Sequence, residues 1–159
     1  MGRSESNRNL VILGAGYVGS ALAIAARGSG WVVSALTRNQ DRIETLERLG
    51  IAAIQARTDE PGWESMMPTE VQGVVYCASS ASRSVEGYRA SYIDGQERAL
   101  RWAQAAGVKH YIYTSSTSVY GEAMGEWVDE DSGPWSDTEY ARVLLEAEKR
   151  VLSSAVRAT

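Results

Sequence analysis

Short apolar runs alternate along this chain with longer segments whose apolar residues recur at helical spacing. The runs are rich in β-branched residues, and glycine, proline or helix-capping residues separate them from the helical segments. This alternation is typical of parallel βαβ units. The pattern predicts strands at residues 9–13, 31–36, 52–55, 73–77 and 110–114.

Helices are predicted between these strands. Asn39 or Asp41 can cap the second helix and Gly50 can end it. Right-handed crossovers then give an α/β fold, a Rossmann-like doubly wound parallel sheet of order 3-2-1-4-5 with helices on both faces, and a ligand crevice at the carboxyl ends of the strands. The predicted helices cover residues 17–28, 38–49, 87–106 and 137–153, with a short turn at most at 63–67 and a functional loop at 120–135.

A glycine-spaced turn follows the first predicted strand and opens the first helix. Gly14 permits the tight turn, Gly16 lets the backbone approach a phosphate, and Gly19 lets the helix pack close to the strand. The helix N-terminus then faces the negative charge of a pyrophosphate. The spacing predicts a dinucleotide partner, whereas a purely structural strand-to-helix turn is the alternative. The proposed cofactor contacts here are Gly14, Ala15, Gly16, Tyr17, Val18 and Gly19.

The end of the second strand indicates which dinucleotide is bound. An acidic residue there would accept a hydrogen bond from a ribose 2′-hydroxyl, but the chain carries Thr37 and Arg38 instead. A guanidinium binds a 2′-phosphate, so NADP is favoured and NAD remains possible, with Arg42 as a second contact. Ala78 and Ser79, which follow the fourth strand, are predicted to pass close to the cofactor.

Composition and charge narrow the classes of protein further. The length of 159 residues fits one domain, assigned to residues 9–159 after a disordered polar segment at 1–8. A net charge of −4 without a basic block argues against a nucleic-acid partner. No apolar run approaches the ~20 residues of a membrane span, which predicts a cytoplasmic protein. One cysteine, Cys77, and one histidine, His110, predict no metal site.

Two segments carry a family resemblance. The stretch Tyr-Ile-Tyr-Thr-Ser-Ser-Thr-Ser-Val-Tyr-Gly at 111–121 and the stretch Tyr-Ala-Arg-Val-Leu-Leu-Glu-Ala-Glu at 140–148 resemble extended short-chain dehydrogenases/reductases, the NAD-dependent epimerase/dehydratase group. That resemblance implies hydride transfer between a nicotinamide and a carbinol or carbonyl carbon. It also implies that Ser116 polarises the substrate oxygen and that Tyr140 transfers a proton.

The chain departs from the family pattern at several positions. The resemblance places a lysine that activates the tyrosine where Leu144 stands, and a further glycine where Leu13 stands. An adenine-binding aspartate is replaced by Ala56 and Arg57, and relatives continue beyond Thr159, so the substrate-binding region is expected to be absent. The substrate is a small molecule of unknown class.

These departures leave two alternatives to an enzyme. One is a catalytically silent dinucleotide-binding sensor, which the loss of the lysine favours. The other is an interaction module, since the resemblance implies a homodimer through the two long helices. The apolar anchors expected to be exposed for that dimer are Tyr88, Tyr92, Trp102, Leu145 and Val151.

Overall fold

The computed structural model describes residues 8–121, 124–132 and 136–159, and within these ranges five parallel strands form one sheet. The order β3-β2-β1-β4-β5 confirms the predicted topology. In register, Leu13 of the central strand lies beside Leu36 on one side and Tyr76 on the other. The strands are β1 (Asn9–Leu13), β2 (Val32–Thr37), β3 (Ala52–Gln55), β4 (Gly73–Tyr76) and β5 (His110–Tyr113).

Helices connect the strands as crossovers on both faces. The predicted helix at 87–106 is instead a continuous run of three parts, because a π-helical turn at Ala90–Gly95 interrupts it. Short 3₁₀ turns occupy Trp63–Met66 and Thr117–Val119. The α-helices are α1 (Tyr17–Gly28), α2 (Gln40–Arg48), α3 (Val85–Arg89), α4 (Gln96–Ala105) and α5 (Glu139–Leu152).

Capping contacts explain where the predicted helix boundaries were wrong. Helix α2 begins at Gln40 because the Asn39 side chain accepts a hydrogen bond from the Asp41 amide at 2.9 Å. Helix α5 begins at Glu139 because Thr138 caps it in the same way. Strand β2 begins at Val32, one residue later than predicted, because the Trp31 amide donates to Ala26 O of α1, at 3.1 Å.

Both ends of the described chain extend the sheet. Residues 1–7 of the segment predicted to be disordered lie outside the described residues, whereas Arg8 already accepts a hydrogen bond from the Val32 amide at 2.9 Å. At the other end, Ala158 pairs in parallel with Tyr111 of β5, and the Tyr113 amide donates to Thr159 O at 2.9 Å. The sequence pattern did not predict this pairing, because the C-terminal segment that pairs with β5 is only three residues long, 157–159.

The two faces of the sheet carry separate hydrophobic clusters. Successive β1 residues alternate, so that Val11 and Leu13 pack in the cluster that receives α4 and α5, and Leu10 and Ile12 in the cluster on the side of α1 and α2. The second cluster includes Ala23 and Leu46 of those helices. Among the described residues, no helix is both long and apolar enough to cross a bilayer.

The long helices present fewer free apolar anchors than the sequence predicts. Val151 is 1% exposed and belongs to the core, so its assignment as an exposed anchor was wrong. Trp102 packs edge-on against Trp63, with 5.5 Å between ring centroids. Tyr88, Tyr92 and Leu145 are partly exposed.

Candidate functional site

A cleft of about 460 Å³ opens at the carboxyl ends of β1, β2 and β4. This is the edge of a doubly wound sheet at which ligands bind. The cleft is lined by seven of the residues proposed as cofactor contacts, namely Gly14, Ala15, Gly16, Thr37, Arg38, Ala78 and Ser79.

The turn that follows β1 ties three strands together. Gly14 has a φ of +104°, which favours glycine, and the amides of Gly14 and Ala15 both donate to Leu36 O, at 2.9 and 2.7 Å. A Cβ atom on Gly14 would lie 2.5 Å from Ala78 Cα and 2.7 Å from the carbonyl carbon of Cys77. The backbone that directly follows β4 therefore passes against this glycine.

The amides left for an anion belong to the first turn of α1. The Gly16 amide donates to Gly14 O at 2.8 Å, and the first intrahelical bond is Ser20 N–H to Gly16 O at 3.1 Å. The intervening amides of Tyr17, Val18 and Gly19 precede that bond and have no intrahelical acceptor. Tyr17, Val18 and Gly19, although predicted as contacts, are not among the residues that line the cleft, and the side chains of Tyr17 and Val18 are 89% and 56% exposed.

Space is available beside these amides. A Cβ atom added to Gly16 would meet no other atom within 4 Å, and Gly16 itself lines the cleft. By contrast, a Cβ atom on Gly19 would collide with Gly14 O and come within 3.1 Å of Ile12 Cγ2. Gly16 thus leaves room for a ligand, whereas Gly19 lets α1 pack against β1.

Two arginines line the end of the cleft nearest β2. Arg38 is exposed, and Arg42 donates from Nη1 to Ser20 Oγ at 3.4 Å. Within the described ranges neither guanidinium forms an ion pair with a carboxylate, so both positive charges are uncompensated. Thr37 lies between the strand and these arginines, and its Oγ1 accepts from the Asn39 amide at 3.2 Å.

A third arginine nearby is neutralised. Arg57 Nη2 lies 2.6 Å from Asp59 Oδ2, and Arg57 Nε lies 3.2 Å from Glu60 Oε1. The hydrogen bond and charge of Asp59 raise the pKa of Arg57. Arg57, which follows β3, is therefore ion-paired within its own loop. Arg38 and Arg42, which follow β2, have no such ion pair within the described residues.

Seven residues of the cleft lining were not predicted as contacts from the sequence: Leu36, Asn39, Thr58, Asp59, Cys77, Ala81 and Ser91. Thr58 and Tyr76 share a hydrogen bond of 3.0 Å, and Tyr76 Oη donates to Ser91 O at 2.5 Å, which fixes this wall. Burial raises the pKa of the Cys77 thiol. The rule that ligands gather after parallel strands points to Asp59 and Cys77, whereas Ser91 lies in the π turn, which the sequence pattern does not predict.

Ser116 and Tyr140 lie outside the cleft lining. Ser116 Oγ accepts from the Ser118 amide at 3.2 Å and lies 2.8 Å from Ser118 Oγ. Tyr140 Oη donates to Arg83 O at 2.7 Å. Within the described part of the chain, no hydrogen bond joins Ser116 to Tyr140, so this structure does not place them in one hydrogen-bonded pair.

Leu144 occupies an apolar position in α5. Its side chain is 1% exposed, whereas Arg142, two residues earlier, is exposed. Two residues along a helix correspond to about 200° of rotation, which turns Arg142 away from the face of Tyr140 and Leu144. Arg142 therefore does not take the place of the lysine.

The sequence of this chain matches a known protein family and a curated relative. A model of the NAD dependent epimerase/dehydratase family matches residues 10–157. The protein YeeZ of Escherichia coli K12 is 28% identical over 147 residues, which cover 89% of this chain and 52% of YeeZ. This chain thus spans about half the length of the curated relatives it matches.

Solved structures share the fold. The enzyme WbmG of Bordetella bronchiseptica, crystallised with NAD, has a TM-score of 0.79 at 20% identity over 98% of this chain and 52% of its own. The UDP-glucose-4-epimerase of Stenotrophomonas maltophila, crystallised with NAD and formylated UDP-arabinopyranose, has a TM-score of 0.78 at 25% identity. That match covers 92% of this chain and 48% of the epimerase.

Proposed function

The chain belongs to the NAD-dependent epimerase/dehydratase family, and on this premise we propose that it binds NADP(H) in the cleft at the carboxyl edge of its sheet. The observation that carries the proposal is one juxtaposition: Gly16, which directly precedes the free first-turn amides of α1, lines the same cleft as Arg38 and Arg42, whose guanidiniums are uncompensated within the described residues. Amides at a helix N-terminus suit a pyrophosphate, and guanidiniums suit a further phosphate.

The preference for NADP over NAD rests on charge. Related structures hold NAD, and an acidic residue at the end of β2 would favour that cofactor by accepting from the 2′-hydroxyl. Here the strand ends in Thr37 and is followed by Arg38 and Asn39. Two cations without an acidic partner stabilise a 2′-phosphate, which adds negative charge at this end of the dinucleotide.

Calorimetric titration with NADPH and NADH tests this proposal. We expect the chain to bind NADPH more tightly than NADH, and Arg38→Ser to weaken NADPH binding about tenfold, or about 1.4 kcal/mol, while NADH binding changes little. Arg48→Ser is the matched control, since this exposed arginine of α2 does not line the cleft. Tighter binding of NADH by the unsubstituted chain would contradict the NADP assignment, and no binding of either would contradict the function.

A second candidate is a dinucleotide-binding module without turnover, and the surroundings of Tyr140 favour it over a hydride-transferring enzyme. The family resemblance gives Tyr140 the proton transfer and Ser116 the substrate oxygen, but an unperturbed phenol ionises near pH 10 and needs a cation to act at neutral pH. Leu144 supplies no charge. NADPH oxidation with sugar nucleotides and carbonyl compounds separates the candidates: Tyr140-dependent turnover would exclude the silent module.

A homodimer through the two long helices, the run from α3 to α4 and α5, remains a prediction of the resemblance. An ion-pair chain joins these helices on one side: Arg150 lies 3.1 Å from Glu97 and 2.7 Å from Glu146. Leu152, which is 71% exposed, offers an apolar contact on α5. Light scattering at increasing concentration measures the mass in solution, and a constant monomer mass would contradict the dimer.

A further inference from the structure

We infer that Tyr140 is a positioning residue for dinucleotide binding: its hydroxyl holds the loop that follows β4, and that loop forms a wall of the cleft. This inference rests on the proposed dinucleotide binding. It assigns Tyr140 a role in affinity, distinct from the proton transfer that the family resemblance implies.

The loop in question, residues 79–84, begins in the cleft and ends at α3. Ser79 and Ala81 line the cleft, next to Ala78 at the end of β4. Inside the loop, Ser80 Oγ donates to Ser82 O at 2.6 Å, and the hydroxyls of Ser82 and Ser84 lie 3.1 Å apart. These local bonds give the loop its shape but do not attach it to the rest of the fold.

The helix that follows attaches the two ends of the loop. The Gly87 amide donates to Ser84 Oγ at 3.1 Å, and Ser91 Oγ donates to Ser79 O at 3.4 Å. The loop also packs closely against Gly87, since a Cβ atom there would lie 3.0 Å from Ser80 Oγ and would collide with Ser82 Oγ unless these side chains moved. Both ends of the loop are therefore fixed from the side of α3 and the π turn.

Tyr140 attaches the loop from the opposite side. Its Oη donates to Arg83 O across 57 positions of sequence, at 2.7 Å. The ring packs edge-on against Tyr88, with 4.8 Å between centroids and 66° between planes, which fixes the direction of the hydroxyl. Tyr88 in turn packs against Tyr92, at 5.2 Å. Helix α5 thereby braces the cleft wall through a single oriented hydroxyl.

This contact and proton transfer compete for the same hydroxyl proton. A bond from a phenol to a backbone carbonyl requires the protonated phenol and uses its one donor. Loss of that donor leaves the Arg83 carbonyl to water and frees the loop to move. A freer loop must be ordered again when the dinucleotide binds, which lowers the affinity.

Two measurements on Tyr140→Phe test the inference. The first is the rate at which trypsin cleaves after Arg83, followed by mass spectrometry without any cofactor, because the bonded carbonyl belongs to that peptide bond. The second is the NADPH dissociation constant. We expect faster cleavage and a dissociation constant about three to ten times higher, the range that corresponds to one hydrogen bond, with a thermal transition that shows the variant is folded.

Tyr88→Phe is the matched control. It removes a hydroxyl from the same aromatic cluster, and that hydroxyl makes no hydrogen bond to another described residue. We expect wild-type cleavage and affinity from this variant. Unchanged cleavage in Tyr140→Phe would overturn the brace, and faster cleavage with unchanged affinity would overturn its role in binding. If the unsubstituted chain bound no NADPH, the role in binding would fall with the proposed function, while the cleavage rate would still decide on the brace.

Discussion

Gly14 and Ala78 lie so close that a methyl group on the glycine would overlap the backbone of the alanine: the added Cβ atom would sit 2.5 Å from Ala78 Cα. This contact joins the turn after β1 to the end of β4. It also places the glycine turn and the loop after β4 on the same cleft.

Gly14→Ala is expected to destabilise the fold. The φ of +104° strains any residue with a side chain, and the Cβ atom would meet backbone atoms that cannot move independently. We expect the free energy of unfolding to fall by about 2–4 kcal/mol, as measured by urea denaturation. Gly28→Ala is the control, because a Cβ atom there meets nothing within 4 Å and alanine gains up to about 1 kcal/mol in a helix. Equal losses in both variants would contradict the close contact.

Gly16→Val is expected to impair binding more than folding. The added side chain would enter the open space beside the first-turn amides of α1, where a phosphate is proposed to lie. Calorimetry should show NADPH affinity at least about tenfold weaker, with a thermal transition much closer to wild type than that of Gly14→Ala. Unchanged affinity would place the pyrophosphate elsewhere.

Leu144→Lys is expected to destabilise the chain. Leu144 is 1% exposed, so an ammonium group there would be buried without a partner. We expect a loss of about 2–4 kcal/mol in the free energy of unfolding. Leu152→Lys, on the same helix but at a position 71% exposed, should change stability little. A fully stable Leu144→Lys variant would show that α5 accepts the family's lysine at this position.

The pair of Glu64 and Arg98 is expected to make stability depend on pH. Burial alone would raise the pKa of Glu64, but hydrogen bonds from Arg98 and from the Gly62 amide, both 2.8 Å, hold it below its usual value. The folded state therefore favours the carboxylate. The stabilisation is fully present above the ordinary glutamate pKa and is lost as the pH falls through the lower folded value.

Glu64→Gln measures this contribution. The variant should be less stable than wild type by about 0.5–1 kcal/mol near neutral pH, and the difference should shrink as the solution is acidified below the folded pKa. Urea denaturation across that range follows it. Glu44→Gln is the control, since Glu44 forms no ion pair within the described residues. If the stability difference between wild type and Glu64→Gln grew on acidification, the predicted direction of the pH dependence would be wrong.

The sequence predicts the sheet well because its signals are local. Apolar runs, Asn39 as a cap and Gly14 as a turn each act within a few residues, and the right-handed crossover rule converts them into the strand order. The pairing of Ala158 with Tyr111 was missed because three residues carry no periodicity. The burial of Val151 was missed because helical spacing alone does not say which of two faces meets the core.

The candidate site was only partly predictable for the same reason. Gly14 and Arg38 follow strand ends, where a ligand site is expected. Two hydrogen bonds join residues that are far apart in sequence: the Ala15 amide donates to Leu36 O, and the Tyr140 hydroxyl donates to Arg83 O. Such contacts decide which donors remain free, and no motif records them.

The most direct test of dinucleotide binding at this cleft is an amide NMR titration of the labelled chain with NADPH. We expect the resonances of Tyr17, Val18 and Gly19 to shift progressively and saturate, together with those of Ala78 and Ser79 after β4. Resonances of these five residues that stay unchanged at about millimolar NADPH, or shifts confined to another face of the sheet, would contradict dinucleotide binding at this cleft.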